Sequence, residues 1–462
     1  MRTNRRTFLK TGVCSVAALG ALPYSAIEAI AAGRIAPASA GLALDTLQPG
    51  GKPFRLTETW YRQTIKKVQQ KLGERGLKGV IVRDGNNLNY VAGTFLVNTE
   101  RPAWLWVPTE GELAIFGPGL DRDMYDGWFI RDVDWYFDYP HAGPFKQILF
   151  EKGPTVDLTE WMLKGIAKRG GGEGKIGVEN ELTPSQHKRM TAVLPKAEFV
   201  PFGDVLLNMR MRKTPEEIVL TQVAIDFHDK TLEWTRNLIA EKGVGMYDAE
   251  VRRASQEFAE NLVFSELEAT GRPHQAVGVN LGLSCRAGIA TAYPHPNQYF
   301  RKRIAPGDAI QLAAAMRVGG YGGEGYRALH LEPVPELARK MWEVHTEMTL
   351  AQAEFSKPGL RCQDVAEKVL QIAKKAGMQK YVYHRPAHGE GMEGHQPPYI
   401  ALGDTTVLDE GMMFSNEPGL YNPQDGYGYN HGNNILITAT GARRMNNTPL
   451  TREFCLIKTK MT

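Results

Sequence analysis

Apolar residues recur at Ile65, Val68 and Leu72, three and four apart with basic residues between them, which predicts a helix over residues 57–75. Gly79-Val80-Ile81-Val82 is a short unbroken apolar run, the mark of a buried strand, and turn-prone Asp84-Gly85-Asn86-Asn87 and Tyr90 follow it. Two more runs, 104–107 and 113–116, read as strands bracketing Thr109-Glu110-Gly111, and 174–179 reads as another. Strand alternating with helix over residues 55–205 predicts a small α/β domain.

The texture changes near residue 208. Thr214 suits a helix N-cap, Pro215 the first helical position, and Glu216 and Glu217 the positive end of the helix dipole. A long helix is expected to about residue 241 and a second over about 246–262. Gly-rich turns then alternate with β-like runs at 309–316, 412–416 and 434–438, interrupted by helices over 334–356 and 362–377. Residues 208–462 therefore read as a second domain, and no short internal repeat is evident.

The composition, 42% hydrophobic and 23% charged over 462 residues, is that of a soluble globular protein of two or three domains. Part of the net charge of +4 sits in Arg2, Arg5, Arg6 and Lys10, and no basic stripe stands out elsewhere, which excludes nucleic acid as a partner. Arg5-Arg6-Thr7-Phe8-Leu9-Lys10 reads as a twin-arginine signal. The Ala-rich stretch 13–32 that follows is interrupted by Pro23 and Glu28, and is too short and polar for a good membrane span. Ala38-Ser39-Ala40 fits a cleavage site, so residues 1–40 are assigned as signal peptide and 41–54 as a Pro/Gly-rich linker. This predicts export to the periplasm through the twin-arginine machinery. Cys285, Cys362 and Cys455 remain after the signal; an odd number without CxxC spacing argues for buried, idle thiols.

Four segments carry chemistry: Tyr293-Pro294-His295-Pro296-Asn297, the Gly-rich stretch through Glu324 to Arg327, His388-Gly389-Glu390-Gly391-Met392-Glu393-Gly394-His395, and Asn416-Glu417-Pro418-Gly419-Leu420-Tyr421. Singly each has an ordinary reading as loop or hairpin. Together, two histidines on a Gly-rich loop where a ligand can approach closely and two carboxylates at turns make a site.

The segment from His388 to Pro398 resembles the HGxGxxxHexP motif of the aminopeptidase P and prolidase branch of the creatinase superfamily, with Gln396 where Glu is usual. The segment 411–421 resembles its GMxxxxEPGxY motif, and 210–218 the stretch that opens its catalytic domain. The resemblance implies an α/β (α+β) chain, a small N-terminal creatinase-type domain before a C-terminal pita-bread domain with a curved antiparallel sheet. It further implies a homodimer, with Arg101 a guess for a residue reaching the neighbour's site.

In the metallopeptidases of this family two aspartates, a histidine and two glutamates bind a pair of divalent ions. Here Glu324, three residues before Arg327, stands at the second aspartate position, and eleven residues earlier is Ala313. His388 and Glu417 match the histidine and the first glutamate. The last glutamate falls within 429–436, which holds no acid, and His431 is the expected occupant. The expectation is therefore no metal, or a single divalent ion held by Glu324, His388, Glu417 and His431. The set looks like creatinase, the metal-free branch, in which a histidine in the position of His295 shuttles the proton and two glutamates hold a guanidinium. The leading expectation is a periplasmic, metal-independent hydrolase cleaving a C–N bond in a small cationic substrate. His295, Glu324, His388 and Glu417 are its catalytic residues, with His395, His431, Arg327 and Tyr421 binding substrate. The alternatives are a metal-dependent Xaa-Pro aminopeptidase or dipeptidase acting on a short peptide, a lyase on an onium compound such as dimethylsulfoniopropionate, and an inactive binding protein.

Overall fold

Thr57 accepts a hydrogen bond from the Trp60 backbone and starts α1 (Glu58–Glu74), whose inner face buries Trp60, Tyr61, Ile65, Val68 and Leu72. A computed structural model describes residues 54–96, 99–125, 128–137, 157–268, 278–299 and 301–458. The assigned signal segment, and the linker up to residue 53, lie outside the described residues.

Strand β1 (Gly79–Val82) is followed by α2 (Gly85–Ala92), where a turn was expected. The Asp84 side chain accepts from the backbones of Asn86 and Asn87, so these turn-forming residues act as an N-cap and first turn. Then come β2 (Trp104–Pro108), β3 (Ala114–Pro118), β4 (Asp132–Tyr136), α3 (Leu158–Ile166), β5 (Glu173–Val178), α4 (Pro184–Val193), β6 (Lys196–Pro201) and α5 (Gly203–Met211). The strands form one six-stranded sheet in the order β4-β3-β2-β1-β5-β6, antiparallel at β1–β2 and β2–β3 and parallel elsewhere. Val80, Ile81 and Val82 are fully buried in it, each contributing roughly 1.5–3 kcal/mol by leaving water.

Helix α6 (Pro215–Leu238) begins with a capping box between Thr214 and Glu217, with Pro215 in the first turn, as its sequence predicts. The Trp60 indole donates to Thr214 Oγ1 over 3.0 Å, tying α1 to this cap. After α7 (Asp248–Glu268) come β7 (Asn280–Ala287), β8 (Ala309–Val318) and β9 (Tyr321–Leu331), an antiparallel run. Helices α8 (Glu336–Phe355) and α9 (Cys362–Lys375) precede β10 (Ala387–Gly389), β11 (Gln396–Ile400), β12 (Met413–Asn416), β13 (Gly419–Asn422), β14 (Tyr427–Asn430), β15 (Asn433–Thr438) and β16 (Gly441–Arg444). The second sheet runs β11-β10-β12-β15-β16 and is antiparallel throughout; a bridge between Tyr326 and Gly432 links it to β9. Cys285, Cys362 and Cys455 are free and buried, as expected of idle thiols. No helix among the described residues is long and apolar enough to cross a membrane.

Candidate active site

Strand alternation decides which side chains of β7, β8 and β9 share a face. Ser284 pairs with Ala313 and Ala313 with Tyr326; Gly282 pairs with Ala315 and Ala315 with Glu324. These two cross-strand rows line a cleft of about 580 Å³, whose opposite wall holds His395, Glu417, Tyr421 and Asn430. His295 stands exposed at its rim. The cleft thus gathers His295, Glu324, His395, Glu417 and Tyr421.

His388 is fixed behind this wall by pairing of β10 with β12, where it faces Ser415. Its Nε2 lies 3.1 Å from Glu417 Oε1. Burial opposes the charged imidazole, but the Glu417 carboxylate outweighs it and lifts the pKa to about 9. The His388 and His395 rings are 4.0 Å apart between centroids, and burial together with the His388 cation holds the His395 pKa down. The chain bends at Gly394, where a Cβ would come 3.0 Å from Glu324 Oε1, so the glycine lets the loop pass close to that carboxylate.

Tyr421 closes a chain of hydrogen bonds with a single set of directions. Asn430 Nδ2 donates to its hydroxyl over 3.0 Å. The hydroxyl in turn donates to His384 Nε2, at 2.8 Å, and His384 Nδ1 donates to the Arg385 carbonyl, also at 2.8 Å.

Two expected site residues are turned elsewhere. Arg327 follows Tyr326 on β9 and so points to the opposite face, fully buried. There its guanidinium donates to the carbonyls of Tyr326, Pro449, Gly432 and Thr448 and to Asn433 Oδ1, over 2.6–3.2 Å. It clamps the C-terminal segment and does not line the cleft. His431 is also fully buried, 4.2 Å from the His345 ring and edge-on to Trp342, with Nδ1 accepting from the Ala328 backbone. The reserve ligand set that included it is not assembled. Arg101 pairs with Glu100 at 2.6 Å and does not line the cleft.

Several cleft residues carry no motif. Arg286 lines the floor, one strand step beyond Ser284, and donates to the Pro294 carbonyl over 2.8 Å, which holds the His295 loop. Arg385 lies on the far wall with its guanidinium 4.5 Å from the Tyr399 ring centroid. Alternation within 280–287 offered a signal for Arg286; nothing local marks Arg385. Glu390 is wholly buried and accepts from Asn434 Nδ2; burial and the neighbouring Glu324 raise its pKa to about 8.

The donor set tests the ions that the family implies. A pair does not fit: Ala313 offers only a methyl group, and the stretch 429–436, where the last glutamate is expected, holds no acid. A single ion fits Glu324, His388 and His395, whose ligand atoms all lie within 4.8 Å of one another.

Residues 64–212 match the creatinase/prolidase N-terminal domain and residues 220–439 the metallopeptidase family M24. The Xaa-Pro dipeptidase of Lactobacillus delbrueckii subsp. lactis is 25% identical over 78% of this chain and 90% of its own. The creatinase of Bacillus sp. (strain B-0618) is 23% identical over 89% of this chain and 97% of its own. In fold, the crystal structure of the recombinant prolidase from Thermococcus sibiricus aligns at a TM-score of 0.70 with 23% identity, over 86% of this chain and 99% of that one. With both halves of the fold matched in order, the chain is a hydrolase that belongs to the creatinase/aminopeptidase P/prolidase superfamily.

Proposed function

We propose that this chain hydrolyses a C–N bond in a small substrate bearing both a carboxylate and a cationic nitrogen, with Xaa-Pro dipeptides as the foremost class. The observation that carries this reading is the pairing, in one cleft, of Arg286 and Arg385 with Glu324 and Glu417. The arginines suit a carboxylate and the glutamates a cationic nitrogen. A small cationic substrate, the expectation from sequence, gives neither arginine a part in binding it. The names of the relatives favour the dipeptide, since an Xaa-Pro dipeptidase matches across nine-tenths of its own length.

The steps assigned to the chain's own residues are binding, orientation and proton movement. Arg286 and Arg385 fix the carboxylate end, and Glu324 and Glu417 face the cationic nitrogen. His295, exposed at the rim, takes a proton from the attacking water and returns it to the leaving nitrogen. His388, paired with Glu417, holds that carboxylate in place. A single divalent ion on Glu324, His388 and His395 would supply Lewis-acid polarisation of the scissile carbonyl and a more acidic water.

A guanidino acid such as creatine is the second reading, favoured by Ala313 and by the acid-free stretch 429–436 in place of two carboxylate ligands. The test is release of proline from Xaa-Pro dipeptides, or of urea from creatine, by purified protein whose metal content has been measured. Equal turnover of a dipeptide and of its C-terminal amide would overturn the proposal. Export to the periplasm is proposed on the run Arg5-Arg6-Thr7-Phe8-Leu9-Lys10. Arrival there of a chain carrying Arg5→Lys and Arg6→Lys at the wild-type level would count against it.

A further inference from the structure

We propose that Tyr326 takes the place of the family's second ion: its phenol fills the volume left by two absent carboxylates and donates its proton to Glu324, the acid that remains. The argument rests on one side chain set between two small ones. Tyr326 pairs directly across the strands with Ala313, the first-aspartate position. On its other side a Cβ at Gly432, within the stretch where the last glutamate is expected, would sit 2.2 Å from Tyr326 Cδ2. Carboxylates at 313 and 432 and a tyrosine at 326 would crowd one volume. A methyl group at 313 and no side chain at 432 leave room for the ring, so the three positions share one volume.

The hydroxyl of the ring donates to Glu324 Oε2, the remaining carboxylate of that pair. Tyr326 also lines the cleft beside Glu324 and Glu417. That bond uses the phenol's one proton, so Tyr326 acts as a positioning residue that fixes the Glu324 carboxylate in the cleft. An ion there would need anionic ligands to balance it; a phenol does not.

Only the kinetic part of this inference rests on the C–N hydrolase reading. The ion-binding part stands on the side chains alone, so the two can fail separately. Purified full-length protein is titrated with Mn²⁺ and with Zn²⁺ by calorimetry, and no more than one equivalent is expected to bind. Two equivalents would overturn the proposal whatever the substrate proves to be. With a substrate that turns over, Tyr326→Phe should lower kcat roughly 10²-fold by freeing the Glu324 carboxylate to shift, while KM moves less than about threefold and the melting temperature stays near wild type. An unchanged kcat in a folded Tyr326→Phe protein would remove the donor role. Should neither dipeptide nor guanidino acid turn over, the functional reading fails and the titration decides Tyr326 by itself.

Discussion

The backbone N–H of His431 donates to His345 Nε2 over 2.9 Å, while His345 Nδ1 donates to the Trp342 carbonyl over 2.9 Å. These two bonds require one neutral tautomer, and a proton on Nε2 would break the first. Burial accordingly pushes the His345 pKa down to about 3, and that of His330 to about 4. Their folded values lie below the unfolded one, so the unfolded chain binds protons first as pH falls. Stability is therefore full above about pH 6.5 and declines towards pH 3–4. Each histidine adds up to about 1.4 kcal/mol per pH unit in that window. Thermal melts from pH 7 to pH 4 should show a shallower slope for His345→Gln than for wild type. Parallel slopes would contradict the assignment.

Arg286→Ala should raise KM for a carboxylate-bearing substrate by roughly 30- to 100-fold, the loss expected for one charged hydrogen-bonded contact. The effect on kcat should be smaller, and the corresponding amide should lose little. An equal loss for acid and amide would mean that Arg286 acts through the Pro294 carbonyl on the His295 loop instead.

Arg327→Ala should unfold the chain more easily by about 3–5 kcal/mol, because four carbonyls and Asn433 lose a buried cation together. Any folded fraction should keep its KM. A raised KM with an unchanged melting temperature would restore the substrate-binding role that the sequence suggested.

Gly432→Ala should cost about 1–3 kcal/mol by forcing a methyl group against the Tyr326 ring. Combined with Tyr326→Ala, the same change should cost much less than alone, which a double-mutant cycle on melting data would read. Simple additivity would show that the ring and residue 432 do not compete for one space.

His388, Glu324 and Glu417 were legible because each sits in a motif whose spacing is preserved, and the helix at Thr214-Pro215 because its cap is encoded by adjacent residues. The order of domains, the buried thiols and the missing first aspartate followed in the same way, from local pattern and counting. Position on a face did not. Arg327 looked like a site residue because its neighbours are, yet a strand sends successive side chains to opposite sides, and position 327 falls on the buried face away from the cleft. His431 was placed by elimination, and only packing against His345 and Trp342 shows it turned inward. Arg286 and Arg385 reach one cleft from strands and loops about a hundred residues apart, a distance no local pattern spans. The chain's own sequence determines which elements form and which acids are present, because caps, periodicity and motif spacing act over a few residues. Which side chains meet, and that Tyr326 fills the gap between Ala313 and Gly432, is decided by strand register and by the exclusion of overlapping volumes, which exist only once the sheets have paired.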